Sequence, residues 1–308
     1  MRFRRMDLNL LVALDALLTE QSVTRAGERV YLSQPAMSAA LARLRLHFKD
    51  ELITPVGRKM VLTPLAESLR QPVREVLNLS GAILDSTLGF DAKSSDRRFS
   101  VVASDVVMTV VIPDVIKKLR VEAPSVSLEL FEPDARRLVE DLEHGDVDLL
   151  IIPLEYASGN CPREELYEDS YSCVVWSENP CVGDQLSLDQ FAELEHVSMN
   201  FGRARTADLP TSYVAKIGLR QKVGIWAPVF SLLPDLVVGT HRIATIPTRL
   251  AQIKSAYLPI RILRPPVDFP KIVEVMQWHS VQNQDPGIAW FRNLLKSSIQ
   301  SAGCLQQH

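Results

Sequence analysis

Residues 23–44 read VTRAGERVYLSQPAMSAALARL, a pattern that predicts two helices joined by a tight turn. Ser33 can cap the backbone N–H groups that open the second helix, and Pro35 lies in its first turn, where a missing N–H costs nothing. Apolar residues of this second helix recur at helical spacing and form one buried stripe: Met37, Leu41, Leu44 and Phe48. The other face is small and polar, which leaves it available to enter a groove.

The flanking residues complete a small domain around this helix pair. Leucines at positions 8, 11, 14 and 18 predict a preceding helix. Residues 52–62 predict two short strands around Val56–Gly57–Arg58–Lys59, a wing with adjacent cations at its tip. Thr63–Pro64 opens a helix of about 25 residues, which Pro72 should kink. Its apolar positions approximate a dimer-forming stripe: Leu65, Leu69, Val73, Val76, Ile83 and Leu84.

The net charge of −3 conceals an asymmetry between this head and the rest of the chain. Residues 1–62 contain ten lysines and arginines against six acidic residues, so the head carries +4 and the remainder −7. A basic helix-turn-helix with a wing favours binding to double-stranded DNA, in which Gln34 could pair bidentately with adenine. The alternative is a three-helix bundle with a solvated charged face. The candidate DNA-contacting residues are Arg25, Ser33, Gln34, Pro35, Ser38, Arg43, Arg45 and Arg58.

After the turn-forming stretch 89–96 (GFDAKSSD), strands and helices alternate, which predicts α/β lobes built on a parallel sheet. Two of the predicted helices run from about 106 to 121 and from about 135 to 143. The last strand and helix have no obvious partner nearby, so we expect the chain to return to the first lobe. The predicted domains are a DNA-binding domain at 6–63 with its helix-turn-helix at about 23–42, a linker helix at 64–89, and a regulatory domain at 90–308. Within the last, lobe I takes about 97–165 and 266–308, and lobe II about 166–265.

Composition and missing motifs exclude several classes of protein. Hydrophobic residues make up 46% and charged residues 23%, the usage of a soluble globular chain. No apolar run approaches the roughly 18 to 20 residues of a membrane span, so we expect a cytoplasmic, nucleoid-associated protein with no membrane partner. The four cysteines form no C-x-x-C pair, which favours free thiols. The six histidines are dispersed and no nucleophile, phosphate-loop or zinc motif occurs, so we predict no catalytic residue, metal or cofactor. An enzyme with dispersed catalytic residues and an architectural DNA binder remain the rival classes.

Residues 6–53 and the run GRKMVLTPLAESL at 57–69 resemble the winged helix-turn-helix head of LysR-type transcriptional regulators. The motif at 33–38, SQPAMS, matches the recognition helix of that family. The opening DLNLLVALDALLTE and the run from Arg98 to Asp105 resemble the branch of the nodulation regulators, which answer flavonoids, and of the naphthalene, salicylate and nitrotoluene regulators. Leu65–Ala66 departs from the usual Ala-Gly pair. Gly27 stands where the family usually has alanine, which should loosen the packing of its helix by up to about 1 kcal/mol.

The resemblance implies a two-lobed body of the periplasmic-binding-protein type, with a small effector in the interlobe cleft. Gly145 fits the family's helix stop before the third strand. Ser104, where the first strand meets a helix, would present its hydroxyl to the effector. The candidate effector-binding residues are Ser104, Phe201, Gly202, Pro228, Phe230 and Pro247. Arg203 and Arg205 could attract an anion, although arginines in a loop are more often solvated.

The expected function is therefore that of a sequence-specific regulator, expected to be an activator, which binds promoter DNA as a homodimer or homotetramer. An inducer in the cleft would change the bend of the DNA, and RNA polymerase is a further expected partner. The inducer would be an aromatic acid, a phenol or a flavonoid. A non-inducible repressor or DNA-binding protein is the alternative.

Overall fold

The structure, a computed structural model, describes residues 9–57, 59–86, 89–134, 141–142, 145–201 and 206–304. The chain divides into two compact units. The first contains residues 1–89 with two short later segments, 143–146 and 281–286. The second contains residues 90–142, 147–280 and 287–308.

The first unit is a helical domain with a two-stranded wing. It begins with three helices: α1 (Asn9–Glu20), α2 (Val23–Arg29) and α3 (Gln34–Phe48). Two antiparallel strands follow, β1 (Ile53–Val56) and β2 (Lys59–Leu62), and then the long helix α4 (Pro64–Ser86). The core between them is aliphatic. Of the predicted stripe of α3, Met37 and Leu44 are fully inaccessible, Leu41 is buried, and Phe48 packs against the core while partly exposed. The predicted helices and wing are thus present.

Side chains at the helix starts explain where these helices begin. The Ser22 hydroxyl accepts a hydrogen bond from the Arg25 N–H at 3.4 Å, and Ser33 accepts one from Ala36 at the same distance. Thr63 Oγ1 accepts one from the Ala66 N–H at 3.1 Å. Each cap satisfies one of the backbone donors that the first turn of a helix leaves unpaired.

Gly27 has a different role from the one expected of it. The N–H of Leu32 donates to the Gly27 carbonyl at 2.9 Å as the chain turns back over α2. A Cβ on Gly27 would lie 2.8 Å from the Leu32 carbonyl oxygen, a backbone atom. The missing side chain lets the turn close, a benefit that the expected loosening of the helix did not take into account.

The second unit contains two mixed β-sheets. The first has the strand order β4-β3-β5-β13-β6, and these strands span Ser127–Phe131, Arg98–Ala103, Leu149–Pro153, Ile272–Gln277 and Arg163–Asp169. The second has the order β10-β8-β11-β7-β12, with strands Lys222–Ala227, Glu195–Phe201, Ile243–Pro247, Tyr171–Trp176 and Ile260–Leu263. A short strand β9 at Thr206–Ala207 pairs with β8. The chain passes between the sheets at Ser170.

Helices pack on these sheets and bury their apolar faces. The helices α5 to α11 span Asp105–Val110, Ile112–Glu122, Leu188–Glu193, Leu209–Lys216, Leu233–Val237, Thr248–Ser255 and Pro286–Cys304. In the first lobe the core contains Phe99, which stacks on Phe291 of α11 with ring centroids 4.6 Å apart. Helix α11 and strand β13 thus return the end of the described chain to the first lobe, as expected.

Several details of the body differ from the sequence prediction. The sheets are mixed and not parallel, because β13 pairs antiparallel with both β5 and β6, and β7 pairs antiparallel with β11 and β12. The helix predicted over 106–121 is two helices that break at Val111, where Pro113 removes a backbone donor and restarts the helix. The helix predicted over 135–143 lies largely outside the described residues. Gly145 has a left-handed φ of 66°, as its expected role in ending that segment requires.

Candidate nucleic-acid interface and ligand cavity

The exposed face of α3 brings together most of the predicted DNA-contacting residues. Ser33, Gln34, Pro35 and Ser38 are all exposed, while the intervening Met37 is buried. Residues at i and i+4 lie one above the other on a helix, so Gln34 and Ser38 share a face with Ala42. This face is polar, narrow and free of large side chains, which suits close approach to base edges.

The predicted arginines have different environments. Arg43 is exposed on α3. Arg45 instead holds the wing, because its guanidinium donates to the carbonyls of Glu51 at 2.8 Å and Ile53 at 3.0 Å and pairs with the Glu51 carboxylate. Arg25 donates to the Glu20 carbonyl at 2.6 Å and keeps 65% of its side chain exposed. Arg58, which the sequence predicts at the wing tip, lies outside the described residues.

The apolar stripe of the long helix α4 is only partly buried in the first unit. Val73 is buried in the core of the first unit and Leu69 packs against that core. Leu65 and Val76 remain substantially exposed, and they lie three helical turns apart on one side. The first unit therefore has an apolar strip on α4 that its own core does not cover. The side chains of Ile83 and Leu84 lie outside the described residues.

Between the two sheets of the second unit lies a cavity of about 130 Å³. Residues from both lobes line it: Ser104, Val106, Pro133, Ile152, Pro153, Tyr156, Tyr167, Asp169, Tyr171, Met199, Leu209, Phe230, Pro247, Ile272 and Glu274. Most of these groups are apolar or aromatic, with a few polar atoms among them. Such a lining is typical of sites for small organic ligands.

Three of the six predicted effector-binding residues line this cavity: Ser104, Phe230 and Pro247. Ser104 caps α5, and its oxygen accepts from the Val107 N–H at 3.2 Å, which leaves the hydroxyl proton available for a ligand. Pro228 is exposed and is not among the lining residues. The side chain of Phe201 and residues Gly202, Arg203 and Arg205 lie outside the described residues.

The sequence prediction missed an acidic residue, Glu274, in one wall of the cavity. In the first sheet, Glu274 of β13 lies directly opposite Tyr167 of β6 on one side and Pro153 of β5 on the other. Ile272 lies opposite Asp169 in the next row. Residues directly opposite across a sheet share a face, so these side chains line one wall together. This register pairs strands that lie more than 100 residues apart in the sequence. It arises because β13 inserts between β5 and β6, and no local sequence pattern predicts that insertion.

Burial changes the ionisation of these groups. Burial, and then the nearby carboxylates of Glu155 and Asp169, raise the pKa of Glu274 to about 8. Burial also raises the pKa of Asp169, although the backbone N–H groups of Ser170 and Arg249 donate to its carboxylate. The pKa values of Tyr167 and Tyr171 are raised as well, chiefly by burial. The cavity wall therefore favours uncharged groups.

Two other kinds of site, a metal centre and a membrane span, are missing from the described ranges. No cluster of His, Cys, Asp and Glu side chains suited to a metal ion occurs among those residues. None of the helices there combines the length and apolar character needed to cross a membrane. Cys161, Cys173 and Cys181 carry free thiols, as expected.

Comparison with protein families matches both parts of the chain. Residues 8–67 match the model of the bacterial regulatory helix-turn-helix protein, lysR family. Residues 92–300 match the LysR substrate binding domain. Together the two models cover most of the sequence.

Curated relatives match over nearly the full length. Nodulation protein D 1 of Bradyrhizobium diazoefficiens is 41% identical over 299 residues, covering 96% of this chain and 94% of the relative. Nodulation protein D 1 of Mesorhizobium japonicum is 42% identical with the same coverage.

Solved structures show the same fold. A "probable transcriptional regulator" of Pseudomonas aeruginosa superposes with a TM-score of 0.73 at 27% identity, covering 96% of this chain and 98% of the other. Full-length CbnR in complex with its target DNA gives a TM-score of 0.53 at 16% identity, covering 96% of this chain and all of the other. The second likeness bears on the fold alone.

Proposed function

The chain belongs to the LysR family of transcriptional regulators and is not an enzyme, and we propose that it is an activator controlled by a small aromatic inducer. In this proposal α3 reads promoter DNA and the cavity of the second unit holds the inducer. The observation that carries the proposal is that cavity, because it is lined mainly by apolar groups and bordered by the Ser104 hydroxyl. Such a lining is typical of small-ligand sites, which favours a regulator with an effector over one without.

DNA reading would rest on the exposed face of α3. Gln34 has an amide that can donate and accept at once, which matches the major-groove edge of adenine. Ser33 and Ser38 would contact bases or phosphates, and Pro35 would pack against them. Arg25, Arg43 and Arg58 would contact phosphates, whereas Arg45 would act through the wing that it braces.

Inducer binding would use Ser104, Phe230 and Pro247 from opposite sides of the cavity. An aromatic ring could lie between the apolar side chains while the Ser104 hydroxyl donates to an oxygen of the ligand. Aromatic acids, phenols and flavonoids all offer such an oxygen. Phe201 and Gly202 remain candidates from the sequence.

Assembly would follow from the uncovered strip on α4. Leu65 and Val76 are apolar and exposed, so pairing of two α4 helices would bury them. A dimer presents two α3 helices to half-sites about one DNA turn apart. We propose that the regulatory domains, which have the boundaries predicted from the sequence, pair further and so form a tetramer. The inducer would then change the bend of the bound promoter before RNA polymerase engages.

Thermal unfolding of the full-length protein with candidate inducers tests this proposal. We expect a saturable rise in melting temperature with at least one aromatic compound, reduced in Ser104→Ala. Ser187→Ala is the matched control, because Ser187 also caps a helix, α7, but lies away from the cavity. A ligand response that is equal in Ser104→Ala would contradict the proposed site. No response to any aromatic compound would contradict the proposal and would mean either another class of ligand or a regulator without an inducer.

A further inference from the structure

One acidic side chain stands out in the cavity on which the proposed function rests. Glu274 is only 4% exposed, and its Oε2 atom is buried without a hydrogen-bond partner. Buried polar atoms in folded proteins are almost always paired, since leaving one unpaired costs free energy. An unpaired oxygen in the wall of a ligand cavity therefore marks a place where a ligand can supply the missing partner.

The strand register places this carboxyl at the centre of one wall. Tyr167 and Pro153 flank Glu274 on the neighbouring strands, and all three residues line the cavity. The register between β13 and β6 shifts by one residue just after Glu274, because β6 contains a bulge there. Bulges re-aim side chains and occur often beside functional sites.

Most of the titratable groups around Glu274 are acidic. Glu155 and Asp169 face it as carboxylates, and Tyr167 and Tyr171 as phenols. One cation, Arg249, lies over the Tyr167 ring at 5.0 Å, and its backbone N–H donates to the Asp169 carboxylate. Within the described part of the chain, the cavity lining contains no lysine or arginine. With its pKa near 8, the Glu274 carboxyl is mostly neutral at neutral pH and can both donate and accept a hydrogen bond.

We propose that the neutral carboxyl of Glu274 anchors the inducer and selects an uncharged aromatic molecule with a carbonyl, amide or hydroxyl oxygen over an aromatic carboxylate. A carboxylate ligand would face Glu155 and Asp169 with no compensating cation in the described lining. A carboxylate beside Glu274 would raise the pKa of Glu274 further and add to the repulsion from Glu155 and Asp169, because like charges repel across a low-dielectric cavity. Among the inducer classes considered for the protein, this choice removes the aromatic acids.

The test uses two pairs of ligands matched in skeleton and different in charge. They are 2-naphthamide with 2-naphthoate, and flavone with flavone-8-carboxylate. Binding to the full-length protein is measured by calorimetry at pH 6.5 and pH 9.5, a range in which the amide and flavone do not ionise. We expect each neutral compound to bind at least about tenfold more tightly than its acid at pH 6.5. Its affinity should fall by about tenfold or more at pH 9.5, because Glu274 loses its proton above pH 8.

Glu274→Gln separates this role from a merely structural one. The amide keeps a neutral donor and acceptor of the same shape, so the variant should bind the neutral ligands at pH 6.5 and lose the pH dependence. Glu274→Leu should bind them at least about tenfold more weakly at every pH, since it removes the anchor. The control is Glu129→Gln, which changes an exposed carboxylate on β4 and should behave as wild type.

The outcomes distinguish this inference from the proposed function. Equal or tighter binding of the acids would overturn the inference alone. An unchanged pH profile in Glu274→Gln would also overturn it. If none of the four compounds binds at either pH, both the inference and the aromatic-inducer proposal fail.

Discussion

The two functional regions of this regulator are built in opposite ways. The proposed DNA-reading face of α3 comes from one short stretch, and its residues Ser33, Gln34, Pro35, Ser38 and Arg43 are exposed. The cavity gathers residues from Ser104 to Glu274, buries most of them, and leaves the Oε2 atom of Glu274 without a hydrogen-bond partner. A change on the first surface should therefore alter binding with little effect on folding, whereas a change in the second should alter both.

The largest expected effect contrasts the two faces of α3. Met37→Ala should lower the free energy of unfolding by about 2–5 kcal/mol, because Met37 is fully buried in the core of the first unit. Ser38→Ala, one residue further on and exposed, should change it by less than about 0.5 kcal/mol. Urea unfolding of the full-length protein measures both. Equal losses would show that the exposed face is also part of the core.

In the cavity, Glu274 should make stability depend on pH. Its folded-state pKa of about 8 lies above the ordinary 4.5, so between these values the folded state holds a proton that the unfolded state releases. Stability is therefore lost as pH rises from 4.5 to 8 and then levels off. Glu274→Gln should raise the melting temperature by several degrees at pH 8 and hardly at pH 4.5.

Melting curves at half-unit pH intervals test this expectation. Asp169 and Asp208, whose pKa values burial also raises, contribute to the wild-type slope, so only the difference between variants is informative. Glu129→Gln should show no such difference. A stabilisation by Glu274→Gln that is the same at every pH would contradict a titrating Glu274.

A smaller effect is expected at the turn before α3. Gly27→Ala should cost about 1 kcal/mol, because the clash with the Leu32 carbonyl outweighs the gain in helix propensity. Glu28→Ala, at an exposed position of the same helix, should gain stability from propensity alone. Chemical unfolding compares them. A stabilised Gly27→Ala variant would mean that the turn has room for a side chain.

The smallest effect separates two arginines of α3. Arg43→Ala should reduce the salt dependence of DNA binding by about one unit of slope, as the loss of one phosphate contact does. Arg45→Ala should weaken binding to all sequences while changing that slope less, since its guanidinium is engaged by Glu51 and Ile53. Fluorescence anisotropy over a salt series measures both slopes. A larger slope change in Arg45→Ala would reassign the phosphate contact.

The two regions also differ in how far the sequence predicts them. In the head, the caps at Ser33 and Thr63 and the buried stripe of α3 depend on neighbours within a few residues, so spacing alone predicted them. In the body, Ser104, Phe230 and Pro247 came from the family resemblance. Glu274 was missed because an acid within a strand normally faces solvent, and only the insertion of β13 between β5 and β6 buries it. Long-range strand order has no local signature.

The most direct test of the account is selection of binding sites from a random pool of DNA duplexes, using wild type and Gln34→Ala. The wild type should select paired half-sites about one helical turn apart. Gln34→Ala should select the same spacing but lose preference at one base pair of each half-site, worth about 1–3 kcal/mol. Gln252→Ala, an exposed glutamine in the second unit, should select the wild-type sequence. If Gln34→Ala also selects an unchanged sequence, the exposed face of α3 is not what reads DNA.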